Sequence, residues 1–426
     1  MQERFRINSK SLENEVKMAS VNTPESRISA LVVHVSTGAG GRGIYHHLEH
    51  AVFKGVGKKT ETEIYNEIAN HGAIQGAYTG KEQTTYYIVG LNETMKDLIP
   101  IQVNTLLKPS FPPGPVNKEK KAIIDEKNGY ADIEPSVALE EFERLIFEKS
   151  PMAETILGTK REIQGRTLQE LIDVKNKKYV GRKMAVALVG DVSQLNDITK
   201  RFFVRFPKGE HEKPKEILFG KKKFSLIESD SQNDYFFIGY PGLPMNDKDF
   251  YTLQLIEVIL GGHSVFEEEH TVSSSRLYDI FRVSNSLAYD ISATSFSGSS
   301  VGYFAVRGNL SRSNIENGIK MIRRQTENLA KTVTKEEVER AKRFLQLYYV
   351  LKAENTLELA LHLGLPTLFY GKASHPITDV DKILNIRLGD VRRVAQRIFK
   401  PEEERLVILG RKTRTSNTIR RIVNHK

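Results

Sequence analysis

Hydrophobic and polar positions switch between a short and a long period along this chain. Residues 31–35, apolar apart from His34, predict a buried strand. The Gly-rich stretch 38–43 that follows predicts a turn. From Ile44 the period lengthens: Ile44, Leu48, Ala51 and Val52 recur at i, i+4, i+7 and i+8, which is an apolar stripe on a helix. Gly43 precedes that helix and Gly55 stands where it would stop. Residues 60–70 predict a second helix, residues 73–89 a hairpin rich in Thr, Tyr and Gly, and residues 95–107 a third helix. Pro112, Pro113 and Pro115 predict a stiff linker, after which Asn117 caps a helix running towards Tyr130. Two further helices and a strand at 185–189, ending in Gly190-Asp191, complete this part of the chain.

Residues 207–223 are dense in Lys, Glu, Gly and Pro and predict an interdomain linker. Beyond them the same order returns. A strand at 235–240 is followed by a helix at 249–260 ending in Gly261-Gly262, and a hairpin at 287–308 by helices at 313–330 and 334–350. A closing strand spans 406–410. Gly190 and Gly410 end the last strand of each part, at an offset of 220. Gly90 and Gly308 end the hairpins, offset by 218, and Asn117 and Thr334 cap matching helices, offset by 217. A near-constant offset predicts an internal duplication into two similar α/β halves, 1–206 and 224–426, joined by 207–223.

Composition narrows the chemistry. At 426 residues the chain is long enough for two cores, and 39% hydrophobic content suffices to build them. The absence of cysteine removes disulfide frameworks, thiolate metal sites and Cys nucleophiles. Any metal is then held by His, Asp or Glu. The net charge of +10 comes from scattered Lys, without a zinc-finger spacing or an aromatic nucleic-acid motif, so no nucleic-acid partner is expected. The first eighteen residues lack an apolar core, and no apolar run reaches membrane-spanning length. A cytoplasmic protein without an integral membrane segment is expected.

Candidate chemistry gathers on the first long-period helix. His46, Glu49 and His50 lie at i, i+3 and i+4 and share one face. Two imidazoles four apart match a zinc-ligand spacing, and Glu49 is placed to take a proton from activated water. Histidines at this spacing also occur as solvated or core groups, and His47 makes the segment His-rich. A third ligand decides between the two readings. Glu119 and Glu126, seven apart on one face of a later helix, are candidates, and a His₂Glu set is a catalytic zinc arrangement.

The His46-x-x-Glu49-His50 motif resembles the inverted zinc motif of the pitrilysin/insulinase metallopeptidases, which include the mitochondrial processing peptidases. The surrounding HHLEHAVFKG is similar to the family's H-F-L-E-H-M-x-F-K-G. Glu126, at an offset of 76 from His50, and Glu119 match the family's third ligand and its second functional Glu. The GAIQGAYTGKEQTTYY hairpin looks like the family's substrate-binding strand, with Gly76-Ala77 where Asn-Ala is usual. SSSRLYDIFRVSNSLAY looks like the family's Gly-rich loop and S-S-R-L segment, with Arg282 and Tyr289 fitting its Arg/Tyr pair. The acidic stretch around Phe266 to His270 departs from the pattern.

The resemblance implies an α/β (α+β) fold of two duplicated halves. Each is a mainly antiparallel sheet flanked by helices, and the two face each other across a cleft. It implies a zinc-dependent endopeptidase with one Zn²⁺ per chain on His46, His50 and Glu126. Glu49 is the general base, Glu119 supports the site, and Arg282 and Tyr289 are donors to the developing oxyanion. Peptide would lie extended along Ala73, Gly76, Ala77 and Thr79 as an added strand. The expected partners are a peptide substrate and a second subunit, in a homodimer or in a heterodimer with a related chain. The alternatives implied are the zinc-bearing subunit of a heterodimeric processing peptidase and a non-catalytic structural relative.

Overall fold

The computed structural model describes residues 6–37, 40–212, 216–231, 233–261, 274–288 and 290–410. The first eight strands are β1 (Ile7–Ser11), β2 (Lys17–Asn22), β3 (Ile28–Ser36), β4 (Gly55–Val56), β5 (Lys59–Thr60), β6 (Ile74–Thr79), β7 (Gln83–Leu91) and β8 (Met184–Gly190). Among them lie α1 (Ile44–Val52), α2 (Glu61–Asn70), α3 (Met95–Leu107), α4 (Pro113–Ala131), α5 (Glu134–Phe147), α6 (Lys160–Gly165) and α7 (Leu168–Lys178), with α8 (Val192–Phe203) after β8. The later part of the chain holds β9 (Phe224–Glu228), β10 (Asn233–Pro241), α9 (Phe250–Gly261), and α10 (Arg276–Tyr278), which runs into a π-helical turn over Asp279–Ser284. Then come β11 (Ile291–Ser297), β12 (Gly302–Ser311), α11 (Ile315–Thr332), α12 (Lys335–Glu354), α13 (Thr356–Tyr370), α14 (Pro376–Leu384), α15 (Leu388–Ile398) and β13 (Arg405–Gly410).

The larger sheet has the order β1-β2-β8-β3-β7-β6, and the second β11-β12-β10-β13-β9. Leaving β1 aside, the two orders are the same once β2, β8, β3, β7 and β6 are matched to β9, β13, β10, β12 and β11. Even the single parallel pair recurs, β2 with β8 and β9 with β13, while the other pairs are antiparallel. The duplicated α/β architecture read from the sequence is therefore the observed one.

Strand β3 carries period two into both faces of the first sheet. Leu31, Val33 and Val35 enter the core shared with Leu48 of α1, with Leu98 and Val103 of α3, and with Leu195 of α8. Ala30 and Val32 point the other way, into a smaller core closed by Leu359, Ala360 and Leu363 of α13. Burial on both faces explains why the buried residues of this strand are mostly apolar, Ser29 and His34 excepted, instead of alternating.

The compact units are not contiguous in sequence. One comprises residues 1–128, 154–215 and 349–379, and the other 129–153, 216–348 and 380–426. Helix α13, late in the chain, therefore packs on β2, β3 and β8, while the early helix α5 packs on β9, β10 and β13. The two helices occupy matching places on the opposite sheets, so the duplication includes an exchange.

The helix expected from Asn117 begins at Pro113. Pro113 sits in the first turn, where a missing N–H costs nothing and the fixed φ suits a helix. What resembled a linker is thus the start of α4. The strand expected to carry Leu287 starts only at Ile291. Leu287 N–H instead donates to Phe281 O at 2.7 Å and closes the π-helical turn.

Candidate metal centre

Helix α1 starts at Gly43, which adopts φ 77. A Cβ there would collide with Leu157 O, so only glycine fits both the left-handed conformation and the close approach. This fixes where the helix begins and hence which face His46, Glu49 and His50 share. His46 and Glu49 are buried, and the rings of His46 and His50 lie 4.6 Å apart.

Helix α4 brings its polar face to the same place. Val116 and Ile123, seven apart, are its buried anchors, and Glu119 and Glu126 each follow an anchor at i+3. One Glu126 oxygen lies 3.5 Å from His46 Nε2 and 3.8 Å from His50 Nε2. Both distances are too long for good hydrogen bonds. Both suit three donors converging on one ion with metal–ligand bonds of about 2 Å. Among the described residues, His46, His50 and Glu126 are the one group of His, Asp or Glu ligand atoms all within 4.8 Å of one another. The donor set of two imidazoles and a carboxylate fits zinc, with room for a fourth position.

Glu119 does not compete for that position. Its Oε2 accepts a hydrogen bond from His50 Nδ1 at 2.9 Å. Because the carboxylate only accepts, Nδ1 carries the proton and Nε2 keeps its lone pair for a metal. Glu119 therefore touches the candidate ligand group at His50. Glu49 lies within electrostatic reach of His46, His50 and Glu126, and burial raises its carboxyl above the ordinary range. Thr79 Oγ1 donates to Glu49 Oε2 at 2.5 Å and fixes that side chain from strand β6. His47, next to His46, is fully buried and outside the ligand group, and burial pushes its imidazole down to about 4.

Among the described residues strand β6 is the edge of the first sheet, so its outer backbone groups pair with no described strand of that sheet. Gly76 and Ala77 lie within it, and Ala73 precedes it. The Tyr87 ring, on the paired position of β7, lies across Gly76, with its hydroxyl where a Cβ would otherwise reach. An aromatic neighbour thus fills the space that the missing side chain leaves. Arg282 is in the second unit, exposed on the π-helical turn, with its guanidinium 5.4 Å from the centre of the Tyr278 ring. Tyr289 and the acidic stretch 266–270 lie outside the described residues.

Two protein-family models cover most of the chain. One described as insulinase (peptidase family M16) matches residues 17–160, and one described as peptidase M16 inactive domain matches residues 166–345. The chain belongs to the insulinase-like M16 family. An uncharacterized zinc protease of Rickettsia bellii is 25% identical over 96% of this chain and 98% of its own length. The mitochondrial-processing peptidase subunit beta of Dictyostelium discoideum is 23% identical over 94% of this chain and 87% of its own. The fold of a protease from Helicobacter pylori matches with a TM-score of 0.86 at 20% identity, covering 95% of this chain and 99% of that one. An M16 inactive domain from Pseudomonas fluorescens matches with a TM-score of 0.87 at 18% identity, covering 96% and 99%. The insulinase model, matching residues 17–160, spans all of α1 and α4.

Proposed function

We propose that this M16 chain is a zinc-dependent endopeptidase that cleaves peptides or unfolded segments. The observation that carries the reading is the convergence of His46, His50 and Glu126 beside a buried Glu49 that is not part of the ligand set. When bound there, zinc would supply Lewis acidity towards water and a peptide carbonyl. Glu49, held by Thr79, takes the proton from the attacking water and returns it to the leaving amine. The free edge of β6 receives substrate as an added strand, so backbone hydrogen bonds provide affinity without demanding one sequence. Such an edge selects extended chains over folded ones. Arg282 and Tyr289 are the proposed donors to the oxyanion that develops, a role carried by their place in the family motif.

A second reading, as the zinc-bearing subunit of a two-subunit processing peptidase, is favoured by the similarity to processing-peptidase beta subunits. Metal analysis and a mixed peptide library test both. One zinc per chain is expected, with cleavage by the chain alone that a chelator abolishes and added zinc restores. Cleavage only after a related chain is added would select the second reading. Absence of tight zinc would overturn both.

A further inference from the structure

We propose that Lys54 is a positioning residue of the metal centre, acting through Glu119 on His50; this rests on the zinc reading of the site. Lys54 stands at i+4 from His50, in the turn that ends α1, so its side chain returns along the His50 face. Its Nζ lies 2.7 Å from Glu119 Oε1 and 2.7 Å from Glu61 Oε1. The other Glu119 oxygen accepts from His50 Nδ1. Glu61, Lys54, Glu119 and His50 thus form one continuous chain of charge-assisted hydrogen bonds that ends on a ligand.

The geometry separates this chain from an ordinary surface ion pair. The Lys54 and Glu119 side chains are only 11% and 16% exposed. A half-buried pair loses less to screening than one in open solvent. Each Glu119 oxygen has a different partner, so the carboxylate plane is set from both sides. With Lys54 absent, one oxygen loses its donor and the carboxylate is free to rotate away from His50. His50 would then lose the group that fixes its tautomer and ring angle. Groups hydrogen-bonded to metal-ligating histidines typically contribute about 10–100-fold to metal affinity. Glu61, in the first turn of α2, holds Lys54 from the far side, and Thr60 caps that helix with a reciprocal Thr60–Glu63 box. The ligand's orientation therefore depends on a helix that contributes no ligand.

The test compares full-length wild type, Lys54→Met, Lys54→Arg and Glu61→Gln. Zinc affinity is measured by competition with a chelator, and the ligand field by the visible absorption of the cobalt-loaded protein. Lys54→Met should weaken zinc binding by roughly 10-fold and shift the cobalt bands, with Lys54→Arg restoring most of both. Glu61→Gln should move both in the same direction by less. Thermal unfolding of the metal-free proteins reports any general loss of structure. Wild-type zinc affinity and cobalt bands in Lys54→Met would overturn the proposal. So would equal damage in Lys54→Met and Lys54→Arg that tracks the loss of metal-free stability. If Lys54→Met does not fold, Lys54→Arg and Glu61→Gln decide: unchanged cobalt bands in both would overturn it. Wild type without tight zinc would overturn the metal reading itself, and this inference with it.

Discussion

Helices α1 and α9 follow equivalent strands, β3 and β10, yet among the described residues only α1 carries members of a candidate metal-ligand group. On α1, Glu49 accepts a hydrogen bond from Thr79 of β6; on α9, Glu257 accepts one from Ser295 of the equivalent strand β11. Both carboxylates are buried. The positions three before and one after the carboxylate are His46 and His50 in one half, and Gln254 and Val258 in the other. Helix α12 repeats α4 in the same way. Val338 and Leu345 are buried where Val116 and Ile123 anchor α4, which puts Ala341 and Tyr348 where Glu119 and Glu126 stand. A buried carboxylate held by a strand hydroxyl is thus common to both halves and is not itself a mark of catalysis. The difference in chemistry lies in two imidazoles and two carboxylates on an otherwise repeated frame.

A second contrast explains the helix exchange. In the first sheet, buried His34 of β3 faces Gly364 of α13, and a Cβ on Gly364 would collide with His34 Nε2. In the second, Gly239 of β10 faces Phe142 of α5, and a Cβ on Gly239 would lie 2.5 Å from the Phe142 ring. The bulky partner is on the strand in one case and on the helix in the other. Placing α5 on the first sheet would set Phe142 against His34, and placing α13 on the second would set two glycines together and leave a void. Each sheet therefore accepts only the helix that the exchange delivers.

These contrasts can be broken at several points, the first with the largest effect. Glu126→Ala should lower zinc affinity more than about 100-fold, beyond the loss typical of a group behind a ligand. Tyr348→Ala, its counterpart, should leave affinity unchanged in the same chelator competition. Equal loss in both would show that the site depends on the whole helix pair and not on a ligand.

Phe142→Ala should destabilise the chain by about 3–5 kcal/mol in denaturant unfolding, the range for truncating a buried Phe. Gly364→Ala should cost about 1–3 kcal/mol through overpacking against His34. A neutral result in either would mean that the strand and helix partners do not discriminate.

The smallest effect is on pH dependence. Burial pushes the His34 imidazole down to about 3, against an ordinary value of 6.5. Between those values the unfolded chain binds a proton that the folded chain does not, so stability falls as pH drops below 6.5. His34→Asn should flatten that slope by at most about 1.4 kcal/mol per pH unit, one proton's worth. An identical slope in the metal-free variant would show that His34 already titrates in the folded state.

Much of this was legible in the sequence, because local patterning decides it. The strand at 31–35, helix α1 and helix α3 follow directly from period and glycine placement. The start of α4 was hidden because three prolines also describe a linker, and only tertiary packing of Val116 separates the two. Helices α13, α14 and α15 were not anticipated; α13, buried against a sheet on one side and carrying Pro366, shows little amphipathic contrast. The exchange of α5 and α13 rests on knob-and-hole pairs drawn from distant parts of the chain, His34 with Gly364 and Phe142 with Gly239, which no local window contains. Added to positions 46–50, the repeat offsets of 217–220 land on residues 263–270. The matched carboxylates show that the counterpart of the histidine helix is α9, closer to the linker. At the site, the two histidines and Glu49 were legible from helical spacing. Glu126 was a candidate by its spacing from Glu119 and by the family resemblance, and α4 folded on α1 brings it beside the two histidines. Lys54 had a signal, its i+4 relation to His50, but no partner in the sequence to give it meaning.

On the proposed function, the first half hydrolyses peptides with zinc and Glu49 as its base, while the matching carboxylate of the second half is structural. The most direct measurement is peptide-library turnover by wild type, Glu49→Gln and Glu257→Gln at equal zinc content. A loss of about 10²–10⁴-fold is expected for Glu49→Gln, with near-wild-type turnover for any folded Glu257→Gln. Equal turnover in wild type and Glu49→Gln would contradict it.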